Sequence, residues 1–508
     1  MDPDRHHLLA TLPLAACVGL LACNSGTIEV PSAAAQEPTA AAITIDGLFD
    51  DWRDLPVAAL DVAGDGGSTG VDLIRIQLAN DDRYLFVRIE ANEEFQLDEN
   101  HALTLCIDTD DDPATGEGIH GIGADLWWGL GERTGRAHGP EGSFKITPVD
   151  IGFHGAPTVS SFAFEMAIDR EAAPGGKLFG DAPLRLVLQD RTVADSGLIE
   201  GDAFPDDGWV SYDFDPTPIG EPEPLALGRQ GGDSLRLVTW NTLWDGITDP
   251  AREESFRRIL AALDPDILAL QEVTNHEGVI ERIPEFLPLD EGEWHVLGYG
   301  NQLTFSRTPF VTDWPLSWDP LHDRFTLSPI ELPDGRWLVV FNAHLSCCDA
   351  EQDRQVQADS FIAYLRDVTD PANENALPPD TPMVLTGDLN LVQGSQPLTT
   401  LLTGDILTEQ WYGEDHAPDW DGTPLADQVS RLTERRMAYT WRSDGGAYWP
   451  GRLDFVIHTD SVLAIDHAYV LHTGEVSETT LEAHGLRAKD SDVASDHLPH
   501  VVDFRLLD

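Results

Sequence analysis

Six places in the second half of the chain end an apolar stretch with a carboxylate, an amide or a histidine. Residues 267–273 are the clearest case, because Glu272 closes an otherwise apolar run and a lone buried charge is costly unless it binds something. Carboxylate and amide oxygens without thiolates suit Mg²⁺, Mn²⁺ or Ca²⁺ better than Zn²⁺. Histidines there could move protons and stabilise charge at a phosphorus atom. In chain order the six places are Asn241, Glu272, His344, Asp388 with Asn390, Asp454, and Asp496 with His497.

These side chains need strands that end at a common edge. A helix predicted over residues 253–263 has its apolar residues on one face, as a helix that covers a sheet requires. Alone, each polar residue is a weak signal, since Asn241 and Asn390 also suit turns and Asp454 could be an ordinary strand acid. Together, the six indicate one site. The strands are predicted at residues 235–241, 267–273, 337–341, 382–386, 452–457 and 501–504.

The order and the residue types of these motifs resemble those of the endonuclease/exonuclease/phosphatase superfamily over residues 235–507. The resemblance implies an α/β four-layer sandwich, with two mixed β-sheets flanked by helices and the site at one edge. It implies a metal-dependent hydrolase of phosphoric esters that uses Mg²⁺, or Mn²⁺ or Ca²⁺ in its place. Whether one or two metal ions act stays open.

The resemblance also assigns roles to individual residues. Glu272 would be the main metal ligand with Asn241 beside it, and Asp496 would hold a second metal or a water. Asp388 and Asn390 would position the attacking water and the phosphate. The remaining roles concern the histidines: Asp454 would orient His497 as acid/base or phosphate contact, and His344 would contact the phosphoryl oxygens.

The first half has strand patterns at residues 71–78, 84–89 and 184–188, which predict an all-β sandwich. The segments 45–52, 84–87 and 107–116 resemble family nine carbohydrate-binding modules and DOMON-like sandwiches, and polysaccharide is therefore a candidate partner. An acidic loop could hold a structural Ca²⁺, although the sixth-position glycine of an EF-hand is absent. The alternative is an acidic turn that binds nothing. The candidate calcium ligands are Asp108, Asp110 and Asp112.

The N-terminus predicts export. An apolar run at residues 8–22 is too short to span a membrane as a helix and ends in a segment that resembles the lipobox of bacterial lipoproteins, with Cys23 as the lipidated residue. Cys17 is a second candidate, and an ordinary cleaved signal is the alternative. Because Asn24 follows Cys23, the known inner-membrane retention signal is missing. We therefore expect a lipid anchor at the cell envelope, in the outer membrane or at the surface.

Length and composition favour several domains. A chain of 508 residues exceeds the size of one hydrophobic core. A segment rich in alanine, proline and glutamate predicts a tether, and one rich in proline and glycine predicts a linker. The predicted order is a signal at residues 1–23, a tether at 24–42, a β-sandwich at 43–215, a linker at 216–232 and the hydrolase at 233–508.

The net charge of the chain disfavours one mode of substrate binding but does not identify the substrate. The 89 acidic and 31 basic residues give a net charge of −58, which disfavours tight binding of nucleic acid through basic patches. The favoured function is an extracellular nuclease, and a sphingomyelinase-like phospholipid phosphodiesterase is the alternative. A non-catalytic surface protein that binds carbohydrate or mediates adhesion is an alternative of another class. The oligomeric state stays open.

Overall fold

The computed structural model describes residues 43–507, apart from residues 66–69, 140–141, 191–192, 195–196, 199–200, 217–218, 233 and 313–323. The predicted signal with Cys23 and Cys17, and the predicted tether, lie outside the described residues. The segment Ala40–Asp508 forms one unit by its internal contacts. Among the described residues, no helix is both long and apolar enough to cross a membrane.

The front half is built from strands arranged in two main sheets. One sheet has the order β1-β2-β3-β11-β10, and the other has the order β15-β12-β4-β7-β8-β9, with β16 also paired to β12. Leu85, Phe164 and Trp128 are fully buried in the apolar cluster that both sheets share. The strands are β1 (Val57–Leu60), β2 (Leu73–Asn80), β3 (Tyr84–Phe95), β4 (Leu103–Asp108), β5 (Glu117–Ile119), β6 (Ile122–Ala124), β7 (Leu126–Gly129), β8 (Thr134–Gly139), β9 (Gly142–Ile146), β10 (His154–Ala156), β11 (Ser161–Asp169), β12 (Leu184–Asp190), β13 (Val193–Ala194), β14 (Gly197–Leu198), β15 (Ala203–Phe204) and β16 (Val210–Tyr212).

The second half alternates strands with helices. The helix predicted over residues 253–263 is present with those bounds, and β17 has the predicted bounds as well. The strands are β17 (Leu235–Asn241), β18 (Ile267–Gln271), β19 (His295–Tyr299), β20 (Gln302–Ser306), β21 (Phe325–Glu331), β22 (Trp337–His344), β23 (Met383–Asp388), β24 (Ala426–Asp427), β25 (Asp454–His458), β26 (Leu463–Val470) and β27 (His500–Leu506). The helices are α1 (Glu253–Leu263), α2 (His276–Phe286), α3 (Glu351–Thr369), α4 (Gln396–Thr403), α5 (Glu409–Tyr412), α6 (Glu478–His484) and α7 (Asp490–Ala494).

These elements form the four layers that the family resemblance implies. The two mixed sheets have the orders β19-β20-β18-β17-β27-β26 and β21-β22-β23-β25-β24. Leu237 from the first sheet and Val340 from the second are fully buried in one apolar cluster between the sheets. Separate clusters join α1 and α2 to the first sheet and α3 and α4 to the second. The pairs β17/β18 and β22/β23 are parallel, so their carboxyl ends lie at shared edges.

The front sandwich packs directly on the hydrolase half. Arg436 lies in the second half and forms a 2.7 Å ion pair with Asp81 of the β2–β3 turn, and both side chains are 1% exposed. Thr158, just after β10, donates hydrogen bonds to the carbonyls of Leu391 and Arg452 at 3.0 and 3.2 Å. Leu391 and Arg452 lie next to Asn390 and close to Asp454, so the sandwich supports the segments that carry two predicted site residues.

Candidate active site

The first sheet contributes an amide and a carboxylate. Asn241 ends β17, and Glu272 follows β18 directly, with φ +58. The Asn241 Nδ2 donates to Glu272 Oε1 at 3.2 Å and to Asp388 Oδ2 at 2.9 Å. Asn241 therefore orients two carboxylates from different sheets, a role that agrees with its predicted place beside the main metal ligand.

The second sheet contributes a histidine and an aspartate that are paired across two strands. His344 ends β22 and is opposite Asp388, which ends β23. A β-carbon on Gly387 would lie 2.0 Å from the Ala343 carbonyl oxygen, and Gly387 has φ +131. Only glycine fits there, and the close approach of backbone brings His344 Nε2 to 3.5 Å from Asp388 Oδ2.

A histidine and a carboxylate form a buried pair at the same edge. Asp454 begins β25 and is paired with Asp388 in the sheet register. Its Oδ2 lies 2.8 Å from His497 Nδ1, while His497 Nε2 lies 3.7 Å from Asp388 Oδ2. This geometry agrees with the expected role of Asp454, since a carboxylate at Nδ1 fixes the ring and makes Nε2 the working nitrogen.

Electrostatics differ between the two histidines. Burial, with Arg324 and His497 nearby, lowers the pKa of His344 to about 4, so its ring is neutral at pH 7. Burial also lowers the pKa of His497, but the charges of Asp454 and Asp388 outweigh it and raise the pKa well above the ordinary value. Burial raises the pKa of Asp388. His497 is thus the positively charged ring in a cluster of acids.

Two polar residues that the sequence did not indicate complete the surroundings of His344. Asn301 Nδ2 lies 3.0 Å from His344 Nδ1, and the Asn301 Oδ1 accepts from Gln302 Nε2 at 2.8 Å. With the amide assigned in this way, His344 Nδ1 is an acceptor and Nε2 is a donor. A donor at Nε2 suits the expected contact of His344 with a phosphoryl oxygen. Arg324, the residue just before β21, is half-buried close by and adds a positive charge.

The two remaining predicted residues lie at the edge of this cluster. Asn390 has φ +48, its N–H donates to Asp388 Oδ1 at 3.1 Å, and its Nδ2 donates to the Leu345 carbonyl at 3.2 Å. Asp496 Oδ2 accepts from Trp441 Nε1 at 3.1 Å, whereas its Oδ1 is buried without a hydrogen-bond partner. Asn390 therefore holds Asp388, and Asp496 keeps one carboxylate oxygen uncommitted.

The residues present fit a divalent cation. Carboxylate oxygens of Glu272 and Asp388 lie within 4.8 Å of each other and of a His344 ring nitrogen. Asp496, the residue before His497, has a buried Oδ1 without a hydrogen-bond partner. Two carboxylates held by one amide, with oxygen atoms predominating, are the donor set of a hard cation. Glu272 and Asp388 would hold such an ion, which would polarise a phosphoryl oxygen and lower the pKa of a bound water.

Replacing Glu272 by glutamine should weaken Mg²⁺ or Mn²⁺ binding by about 10- to 100-fold, because glutamine keeps the volume but removes the charge. Calorimetric titration with each metal measures the change. Glu277→Gln, at an exposed position in the first turn of α2, is the matched control and should bind metal like the unmodified protein. Equal affinities for the two variants would contradict the assignment of Glu272.

The acidic loop of the front sandwich assembles differently from the prediction. Asp108, Asp110 and Asp125 bring ligand atoms within 4.8 Å of one another, whereas the Asp112 carboxylate accepts from the Ala114 N–H at 2.9 Å. Asp108 is fully buried and its Oδ1 has no hydrogen-bond partner. Asp125 was not indicated by the sequence, because it lies beyond the loop and next to β7, where a spacing pattern does not reach.

The family follows from the hydrolase half. A model of the Endonuclease/Exonuclease/phosphatase family matches residues 238–497, about half of the chain, and the protein belongs to this family. It is a hydrolase of phosphoric esters, and the matched segment runs from β17 to His497. No curated protein matches the sequence.

Several solved structures are similar over about half of the chain. Danio rerio TDP2, complexed with a single-strand DNA product, is 17% identical and covers 54% of this chain and 100% of its own, with a TM-score of 0.34. Sphingomyelinase C from Streptomyces griseocarneus is 16% identical, covers 54% and 99%, and has a TM-score of 0.31. A Staphylococcus aureus beta toxin mutant with bound magnesium ions is 15% identical, covers 53% and 99%, and has a TM-score of 0.31. No substrate follows from similarities at this level.

Proposed function

We propose that the protein is a Mg²⁺-dependent phosphodiesterase that hydrolyses nucleic acid. The observation that carries the proposal is the meeting of Glu272, Asp388 and the Asp454–His497 pair at one edge of two sheets. Mn²⁺ or Ca²⁺ is the alternative ion. The residues of the chain would orient the phosphate and the water and stabilise the charge that develops on the phosphoryl oxygens.

A diester suits this site better than a monoester. Each backbone phosphate of a nucleic acid carries one negative charge, whereas a phosphate monoester carries about −1.5 to −2 at pH 7. The cationic groups close to the described site are His497 and Arg324, set among four carboxylates and a chain of net charge −58. A doubly charged substrate would be repelled more strongly, so the proposal is for a phosphodiester.

A panel of substrates tests the proposal. Purified protein would be assayed with Mg²⁺, Mn²⁺ or Ca²⁺ on plasmid DNA, RNA, sphingomyelin, bis-p-nitrophenyl phosphate and p-nitrophenyl phosphate, with Glu272→Gln and Glu277→Gln as the paired variants. We expect metal-dependent cleavage of nucleic acid and of the nitrophenyl diester. Turnover of sphingomyelin alone would replace the proposal with the phospholipid alternative, and turnover of the monoester alone would contradict a diesterase.

The front sandwich is proposed to bind a structural Ca²⁺ through Asp108, Asp110 and Asp125. Burial raises the pKa of Asp108 and of Asp125, so a cation would stabilise both carboxylates in their charged form. Ca²⁺ should raise the melting temperature, and Asp125→Asn should remove most of that rise while Asp112→Asn keeps it. An identical Ca²⁺ response in the two variants would contradict this ligand set. Polysaccharide binding by the sandwich is a further proposal from the sequence resemblance alone.

Attachment to the bacterial cell envelope is also proposed, on the sequence around Cys23. A lipid on Cys23 would tether the enzyme to a membrane. Growth with labelled palmitate should label the protein and its Cys17→Ser variant but not Cys23→Ser. Labelling lost only with Cys17→Ser would move the anchor to the second candidate, and no labelling would favour the cleaved signal.

A further inference from the structure

A large aromatic side chain is exposed on a loop whose backbone contacts the carboxylate of Glu272. Trp244, in the loop after β17, is 68% exposed. The backbone N–H of Trp244 donates to Glu272 Oε2 at 3.0 Å, so the backbone that carries the indole contacts the proposed metal ligand. Exposure of a tryptophan forgoes the large stabilisation that its burial provides, and Trp244 is exposed on a loop that contacts the site.

The loop that presents Trp244 is held in an unfavourable backbone conformation. Leu243, Trp244 and Asp245 have φ values of 47, 53 and 59°, in the left-handed region that β-carbons disfavour. Polar contacts hold this conformation: the guanidinium of Arg252 donates to the Leu243 carbonyl at 2.8 Å and to the Trp244 carbonyl at 3.2 Å. Conformations of this kind persist where the surrounding structure over-determines them, and they concentrate at functional sites.

The other end of the loop is fixed in the same way. The Asp245 carboxylate accepts from the N–H of Thr274 at 2.6 Å and from the N–H of Asn275 at 2.8 Å. Both donors follow Glu272 closely in sequence. These bonds, together with the bond from the Trp244 N–H to Glu272, tie the loop to the Glu272 segment, so the backbone of Trp244 has a set position relative to the site.

The Trp244 indole suits a ligand that has a flat, uncharged ring. Aromatic side chains bind nucleobases by stacking, and the interaction needs no positive charge. In a chain of net charge −58 it supplies affinity for nucleic acid that basic patches do not. A quaternary ammonium group is bound by a cage of several aromatic rings. In the part of the chain that the structure describes, no other ring contacts Trp244, so the observations favour a base over a choline.

We propose that Trp244 forms a base-binding subsite, on which the nucleobase next to the scissile phosphodiester stacks. The inference rests on the proposed function and narrows its substrate class. Because the face of a base is free only where it is unstacked from its neighbour, the substrate is single-stranded nucleic acid or a locally opened duplex.

Paired substrates and variants test the subsite. The substrates are an oligothymidylate and an abasic oligomer of the same length, which has the same phosphodiesters but no bases. Trp244→Ala should raise KM for the thymidylate about tenfold and change KM for the abasic oligomer less than about twofold, and Trp244→Phe should recover most of the loss. Trp411→Ala is the matched control, since Trp411 is 78% exposed on α5, and it should change neither.

Three other outcomes would contradict the proposed base-binding subsite. An equal loss on both substrates would show that Trp244 only supports the loop, and no change on either would show that the indole is not contacted; both overturn the subsite. If the unmodified protein cleaves neither oligomer but hydrolyses sphingomyelin with Mg²⁺, the nucleic acid function fails and the subsite fails with it. Melting temperatures and Mg²⁺ titrations of the variants separate these results from misfolding, and Trp244→Phe retains a flat ring should the alanine variant fold poorly.

Discussion

Replacing His497 by alanine should reduce kcat for phosphodiester hydrolysis about a thousandfold, within the range for loss of a positioned acid or base. His497 presents Nε2 to the cluster at Asp388, while Asp454 holds Nδ1 at 2.8 Å. Alanine removes the only ring cation in contact with both carboxylates among the described residues. Initial rates on bis-p-nitrophenyl phosphate at saturating Mg²⁺ measure the loss.

The pair should act as one unit. Asp454→Asn is therefore expected to lose nearly as much activity as His497→Ala, and the double variant should lose little more than either, because groups that act together are non-additive. His484→Ala, at the C-terminal end of α6, is the control and should keep full activity. A His497→Ala variant within threefold of the unmodified protein would remove His497 from the mechanism, and fully additive losses would separate it from Asp454.

Replacing Asp81 by asparagine should lower the free energy of unfolding by about 3–5 kcal/mol, since it leaves the Arg436 guanidinium buried without its partner. The two side chains are 1% exposed, and Arg436 also donates to the Ile43 carbonyl at 2.9 Å. Urea unfolding followed by tryptophan fluorescence measures the change.

An exposed ion pair provides the control for this effect. Arg336 and Asp334 are 2.7 Å apart with side chains 46% and 50% exposed, so Asp334→Asn should cost less than about 1 kcal/mol. Similar losses for Asp81→Asn and Asp334→Asn would show that the Arg436 contact contributes little. A second unfolding transition in Asp81→Asn alone would show that this pair couples the sandwich to the hydrolase half.

The short-range pattern of apolar residues predicted most of the strands that carry the site in the hydrolase half. The β17 strand and the α1 helix have the predicted bounds, because the period of their apolar residues is a local property. The strands that carry His344 and Asp388 are longer than predicted at the carboxyl end, since the predictions stopped before Asn342 and before Gly387. In the structure these polar residues remain in the ladder, and the His344–Asp388 register is itself part of the site.

Contacts between segments that are distant in the chain could not be predicted from the sequence pattern. Asn342 lies just beyond the strand predicted at residues 337–341, and nothing local indicates its partners. Its Oδ1 accepts from Gln271 Nε2 at 2.8 Å and its Nδ2 donates to the Leu270 carbonyl at 3.1 Å, which joins the two sheets beneath the site. Asn301 belongs to a β-hairpin turn, where asparagine is common for local reasons. Asp81 lies in the β2–β3 turn, where aspartate is common for local reasons, and nothing local indicates its partner Arg436. Such pairings depend on how the sheets and domains pack.

The bonds from Thr158 to Leu391 and Arg452 have a consequence for how the enzyme can be taken apart. A fragment that starts at residue 233 would retain every residue assigned to hydrolysis but lose the donor that holds two of its loops. It would also uncover Met437 and Tyr439, which are buried against the sandwich in one cluster with Phe86. We therefore do not expect the hydrolase half to keep its native structure when it is produced alone. Contacts from the sandwich hold the loops of the hydrolase half, so a fragment made for expression should contain both halves.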